Sequence, residues 1–189
     1  MKIIGIGGTN GSGKDTLSQL LADDYGWFFV SVSHDLIIPE LKKRGLPLER
    51  ENMAALTAEW NREISQGAVI DKAVEKFRQE TASKFTGLVI SSIRHPWEVD
   101  RIHQLGGKIV WLDADPKLRY ERIFSRGHGD KDQKTLEQFL AEEESEKHHS
   151  GDKATLNWQA VKDRADIFLT NDSNDVEAFK QKAQQTLNL

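Results

Sequence analysis

Five short apolar runs, bounded by turn residues, recur along the chain: Lys2–Ile6, Trp27–Val32, Leu88–Ile93, Lys108–Leu112 and Asp166–Thr170. They are rich in Val, Ile and Phe and do not alternate cleanly with polar residues, the pattern of strands covered on both faces. Between them the spacing turns helical. Lys14–Tyr25 carries Leu17, Leu20 and Leu21 on one face, and Glu49–Ser65 and Val69–Lys84 form a longer helical insert. Pro96–Leu105, Pro116–Arg126, Thr135–Lys147 and Asp175–Leu187 follow, with Pro96 and Pro116 where a helix begins. Alternating strands and helices predict an α/β fold of three layers, a five-stranded parallel sheet with right-handed crossovers and helices on both faces. Ligands of such sheets gather at the carboxyl ends of the strands. Functional residues are therefore sought just after each run.

Composition narrows the classes. A chain of 189 residues makes one ordinary domain, 1–189, and 38% apolar with 30% charged residues reads as globular. The net charge of -4 argues against a protein that binds nucleic acid by neutralising phosphates. The absence of cysteine excludes disulfides, thiolate metal sites and a cysteine nucleophile. The opening MKIIGIGG is too short an apolar run for a signal peptide, and no segment approaches the roughly 20 apolar residues of a membrane helix. The expectation is a cytoplasmic protein with no membrane and no nucleic-acid partner.

The stretch Gly8-Thr9-Asn10-Gly11-Ser12-Gly13-Lys14 matches G-x-x-x-x-G-K, after a predicted strand and before a predicted helix. Glycines let successive backbone N–H groups turn inward as an anion nest, and the helix start adds its positive dipole end. Gly8, Asn10, Gly11, Ser12, Gly13 and Lys14 are the candidate phosphate-binding residues, with the Lys14 ammonium reaching the terminal phosphates. Where a hydroxyl usually follows the lysine stands Asp15, with Thr16 next. Asp15 and Thr16 are the candidate contacts for nucleotide and metal. Asp15 either holds Mg²⁺ through water or simply favours the helix N-terminus.

Phosphoryl transfer needs cations around the moving group. Arg94 directly follows the third run, and Arg119, Arg122 and Arg126 recur at helical spacing after Asp115-Pro116. Arg94, Arg122 and Arg126 are read as functional and Arg119 as a solvated helix face. Arg62 divides evenly between acceptor binding and a surface ion pair. Glycines in Arg126-Gly-His-Gly break the helix as a mobile lid would. Asp35, after the second run, either acts on an acceptor hydroxyl or caps a helix. The pair His148-His149 is not read as a metal site, and Glu142-Glu143-Glu144 is read as a solvated face. Trp60 and Trp158 are the tryptophans to watch for base contacts.

Taken together, GxxGxGKxT, an arginine after the third strand, D-x-x-x-R-x-x-R-x-x-x-R after the fourth and ADIFLTNDS before the last helix resemble the nucleoside monophosphate kinase superfamily. The nearest likeness is to adenylate-kinase-related and dephospho-CoA-kinase-like proteins. The segment RGLPLERENMAAL, then Arg62 and QGAV, looks like their acceptor-binding insert. The resemblance implies an ATP- and Mg²⁺-dependent phosphotransferase with an acceptor-binding insert over about 35–84 and a lid over about 126–150. Its substrate would be a small nucleotide-like molecule and its state a monomer or homodimer. Arg94 would bind the acceptor's phosphate, Arg122 and Arg126 would clamp the transferring group, and Thr170-Asn171-Asp172-Ser173 would lie near the adenine. Two departures stand out. Ser91 and Ser92 occupy the end of the third strand, where relatives carry an acidic residue, and SVSHD replaces the D-A-D of dephospho-CoA kinases. Asp113 or Asp115 is a candidate for the missing carboxylate. The leading expectation is a nucleoside or deoxynucleoside monophosphate kinase. The alternatives are dephospho-CoA kinase and a regulatory nucleotide-binding ATPase.

Overall fold

The computed structural model describes residues 2–80, 84–125, 135–145, 147 and 157–189. Strands β1 (Ile3–Gly8), β2 (Phe28–Ser31), β3 (Leu88–Ile93), β4 (Lys108–Asp113) and β5 (Ile167–Thr170) form one sheet in the order β2-β3-β1-β4-β5. Every pairing is parallel. All five carboxyl ends therefore meet on one edge, and the strand order reverses across β1, where ligands of such sheets bind.

Both faces are packed, which is why the strands read as unbroken apolar runs. On one face Ile6, Val89, Val110, Leu112 and Leu169 meet Leu17, Leu20 and Leu21 of α1 (Lys14–Tyr25) and Phe179 and Ala183 of α9 (Val176–Leu187). On the other, Ile3, Leu88, Ile90, Ile109 and Trp111 meet α4 (Ala68–Gln79), Val99 and Ile102 of α5 (Pro96–Gln104) and Val161 of α8 (Trp158–Asp163). Successive strand residues alternate between two dry layers. α2 (Ile38–Lys43) and α3 (Arg50–Glu63) join α4 in the excursion between β2 and β3, and α6 (Pro116–Ser125) and α7 (Leu136–Ser145) follow β4. No helix among the described residues is long and apolar enough to cross a membrane.

The five strands and seven helical stretches expected from the pattern are all present, with shifted ends. β1 runs on to Gly8 because Gly7 and Gly8 pair with Trp111 and Leu112, and tertiary pairing overrides glycine's poor strand preference. Three elements were not anticipated: a π-helical turn, α2 and α8. The chain leaves β2 through a π-helical turn, Val32–Ile37, straight into α2, whose start carries Pro39. The short α8, capped by the Asn157 side chain, also escaped the pattern.

One carboxylate just before β5 ties it to β4. Asp166 accepts from the Ile109 amide at 2.6 Å and from or with His103 Nε2 at 2.9 Å. Its partial burial works to raise its pKa, but the Ile109 amide, His103 and Lys108 outweigh that and hold it below the ordinary 3.8. A depressed carboxyl contributes stability above its unfolded pKa and loses it as pH falls. Asp166→Asn is expected to cost about 1 kcal/mol, a melting point lower by roughly 2–4 °C at neutral pH. Thermal denaturation across pH checks this: the gap between variant and parent closes as pH drops below 3.8.

Candidate nucleotide site

The loop between β1 and α1 owes its shape to glycine at two positions of close approach. Gly8 has φ +152°, and a Cβ there would lie 2.1 Å from the Leu112 carbonyl oxygen; at Gly11, φ +79°, it would lie 2.7 Å from that of Arg119. Neighbouring elements press on the loop's back, so its form is imposed from outside. Inside it, Ser12 Oγ donates to Thr9 O at 2.8 Å, and Thr9 Oγ1 donates to Asp113 Oδ1 at 2.8 Å. No side chain caps the first turn of α1, which keeps that turn available to an anion.

Lys14 lies back across this loop. Its Nζ donates to Thr9 O at 2.7 Å and Gly8 O at 3.1 Å. Burial, then the nearby Arg94 and Arg119 charges, lower its pKa to about 7 against the opposing pull of Asp15 and Glu143. The ammonium is thus held at the nest by two carbonyls, in surroundings that disfavour its charge until an anion arrives.

Arg94 is set by an unusual strand end. The β1–β3 register shifts between Ile6 and Gly7, and Ser92 carries φ +72°, a left-handed backbone that a side-chain-bearing residue seldom adopts outside constrained sites. Buried Glu98 then accepts from the Arg94 and His95 amides at 2.8 and 3.1 Å, fixing the turn into α5. The Arg94 side chain reaches the phosphate loop, with Nη2 donating to Asn10 Oδ1 at 3.2 Å.

From α6, Arg122 also meets the loop. Its guanidinium donates to Gly11 O, to Asn171 O at 3.0 Å and to Ser173 O. Asn171 in turn donates from Nδ2 to Ser12 O at 2.9 Å. The Thr170–Ser173 segment therefore abuts the phosphate loop. Arg119, expected on a solvated face, is 3% exposed. It donates to Ala114 O, to Asn10 O and, through both Nη groups, to Glu143.

After β2, Asp35 sits in the π-helical turn. Its Oδ2 accepts from the Ser31 amide at 2.7 Å and its Oδ1 lies 4.0 Å from Lys76 Nζ. Asp15 is exposed and Thr16 half-buried at the mouth of the loop. Asp113 is already engaged by Thr9, the Ala114 amide and Lys162, so it is not a carboxylate kept open for a metal. Among the described residues no three His, Asp or Glu side chains cluster as a metal cage.

Arg126 and His148-His149 lie outside the described residues, as does most of the expected lid. Trp60 is buried under Lys72, and Trp158 stacks on Trp111 at 5.6 Å; both serve packing here. Sequence reasoning missed Glu98 and Glu143. The first was legible as the third helical residue after the N-cap His95, a capping-box position. The second shares a helical stripe with Leu136 and Phe139.

A phosphate loop under the switch point of this sheet, ringed by arginines from β3 and α6, marks a P-loop kinase of the kind related to nucleoside monophosphate kinases. More narrowly, the chain belongs to the AAA_18 family (AAA domain), whose model matches residues 4–149. It is 31% identical over 188 residues to a UPF0200 protein of Sulfurisphaera tokodaii, covering 99% of this chain and 96% of that protein. It is also 31% identical over 145 residues to a cytidylate kinase of Methanococcus vannielii, covering 77% and 76%. In three dimensions it resembles shikimate kinase from Acinetobacter baumannii with a TM-score of 0.55 at 16% identity, over 99% of this chain and 93% of that one.

Proposed function

We propose that this chain is an ATP- and Mg²⁺-dependent phosphotransferase that passes the γ-phosphate to a nucleotide-like small molecule, first among candidates a nucleoside or deoxynucleoside monophosphate. The observation that carries this reading is the Arg94–Asn10 contact, 3.2 Å long, between a strand-end guanidinium and the phosphate loop. A cation rooted on the β2–β3 side of β1 and touching the donor's loop stands between donor and acceptor, where two phosphates must be held in line. The cytidylate kinase likeness points the same way.

In this reading Gly8 to Gly13 and Thr16 cradle the donor phosphates and Lys14 meets the terminal one. Arg94 holds the acceptor, and Arg122 and Arg126 stabilise charge on the transferring group. The helical excursion before β3 holds the acceptor, and the segment around 126–150 covers the site. Magnesium, held by the nucleotide and water with Thr16 and Asp15 as the chain's contribution, would supply charge neutralisation. A phosphate acceptor arrives ionised and needs no general base.

Asp35 favours a second reading. Its carboxylate is held at one oxygen by the Ser31 amide and faced by Lys76 at the other, a fixed orientation that suits a base for an acceptor hydroxyl in a dephospho-CoA-kinase-like reaction. ATP consumption against every nucleoside and deoxynucleoside monophosphate and dephospho-CoA separates the readings. Under the monophosphate reading, Asp35→Asn changes turnover less than about threefold; a hydroxyl acceptor makes the loss roughly 10²–10⁴-fold. Hydrolysis that no acceptor stimulates would instead indicate a regulatory ATPase.

A further inference from the structure

The α7 helix carries a carboxylate that none of the roles above uses. Glu143 and Arg119 form a two-pronged pair, with Nη1 on Oε1 and Nη2 on Oε2 at 2.7 Å. The pair is nearly dry: the side chains are 3% and 12% exposed. The same guanidinium donates through Nε to Ala114 O at 2.9 Å and through Nη1 to Asn10 O at 3.3 Å. Of its five N–H groups, these bonds leave at most one. Arg119 therefore has no fork to offer a phosphate while Glu143 is in place, although it stands in the lid-side arginine series.

Arg119 instead works on the phosphate loop from behind. Its main-chain oxygen lies against Gly11, where a Cβ would come within 2.7 Å. Its side chain holds the Asn10 carbonyl, and the Asn10 side chain accepts from Arg94. Glu143, Arg119, Asn10 and Arg94 thus form one connected chain of contacts from α7 to the strand-end arginine. The far end is anchored too. Glu143 O accepts from Trp158 Nε1 at 3.3 Å, Trp158 stacks on Trp111 of β4, and Phe139, one turn earlier on α7, packs on Tyr120 and under the Arg119 guanidinium.

We infer that Glu143 is a positioning residue of the nucleotide site: its carboxylate converts Arg119 from a free cation into a brace that fixes the phosphate loop and, through Asn10, Arg94. The brace needs a charge and a fork together. Neutral glutamine keeps the shape but sets an NH2 donor against one Nη donor, whereas aspartate keeps the charge on a shorter arm. The inference rests on the phosphate-loop reading above, so its test has a part that needs no nucleotide.

Amide hydrogen exchange on the ligand-free chain is measured for the parent, Glu143→Gln and Glu143→Asp. Glutamine is expected to speed exchange at Asn10–Lys14 by about fivefold to twentyfold, with aspartate between it and the parent. Titration with MgATP is expected to show a dissociation constant raised by a similar factor in Glu143→Gln, with kcat at saturation changed less. Unaltered loop exchange in Glu143→Gln would overturn the inference, and so would tighter ATP binding, which would mean that Glu143 competes with phosphate for Arg119. Loosened loop amides in a chain that never binds ATP would leave the brace standing and bring down the phosphotransferase reading.

Discussion

Replacing Lys14 by methionine is expected to lower phosphoryl transfer by about 10²–10³-fold with the fold retained. Methionine keeps the length and apolar stem of the side chain and removes its charge. The sign is set by where the ammonium already lies, 2.7 Å from Thr9 O on the rim of the nest. Steady-state turnover with the best acceptor, beside a melting curve, checks it; full turnover in the variant would refute the site. A second consequence separates charge from mere size. With a pKa of about 7, Lys14 is partly neutral in the free chain, and bound phosphates favour its charged form. Above pH 7 binding must then take up a proton, so the ATP affinity contributed by this residue falls with rising pH by up to about tenfold per unit. Below pH 7 the proton is already present and this contribution is flat. Lys14→Arg stays charged throughout, so calorimetric titrations between about pH 6 and 9 are expected to lose the step in that variant.

How far the sequence carried these assignments depends on the range over which each feature is decided. The phosphate loop is local: seven consecutive residues with their strand and helix were readable at once, because glycine spacing and helix start act within one turn. The strands were readable because burial on both faces leaves continuous apolar runs such as LVISSI. Arg119 was misjudged for the opposite reason. Its helix carries charges at several positions, and nothing within α6 tells which one faces the loop. Burial of that side chain depends on Glu143, 24 positions away along the chain. The reading of Glu142–Glu144 as a solvated face failed at Glu143, whose carboxylate pairs with the buried Arg119 guanidinium. Glu98 illustrates a middle case. Its bonds to the Arg94 and His95 amides span three and four residues and follow a known cap pattern, yet the strained Ser92 before it has no sequence mark. The π-helical turn that holds Asp35 was equally invisible, for a turn of that kind needs the closing contacts of α4 and β3 to persist.

Arg94 governs the second large effect. Its backbone is pinned by a buried carboxylate, and its side chain spans from β3 to Asn10. Truncation therefore removes a prepaid cation without unfolding its support. Arg94→Ala is expected to lower kcat/KM for the acceptor by about 10²-fold, close to 2.7 kcal/mol of transition-state stabilisation. The dissociation constant for ATP should move much less. Arg94→Lys is expected to recover only part of the loss, because an ammonium meets phosphate as a point charge and cannot grip two oxygens in a fixed plane. Initial rates over a grid of ATP and acceptor concentrations resolve the two constants. The distribution of the loss decides the geometry. An effect concentrated on the acceptor terms puts its phosphate against β3, with the helices before β3 as its walls. An effect confined to ATP affinity would move Arg94 to the donor side.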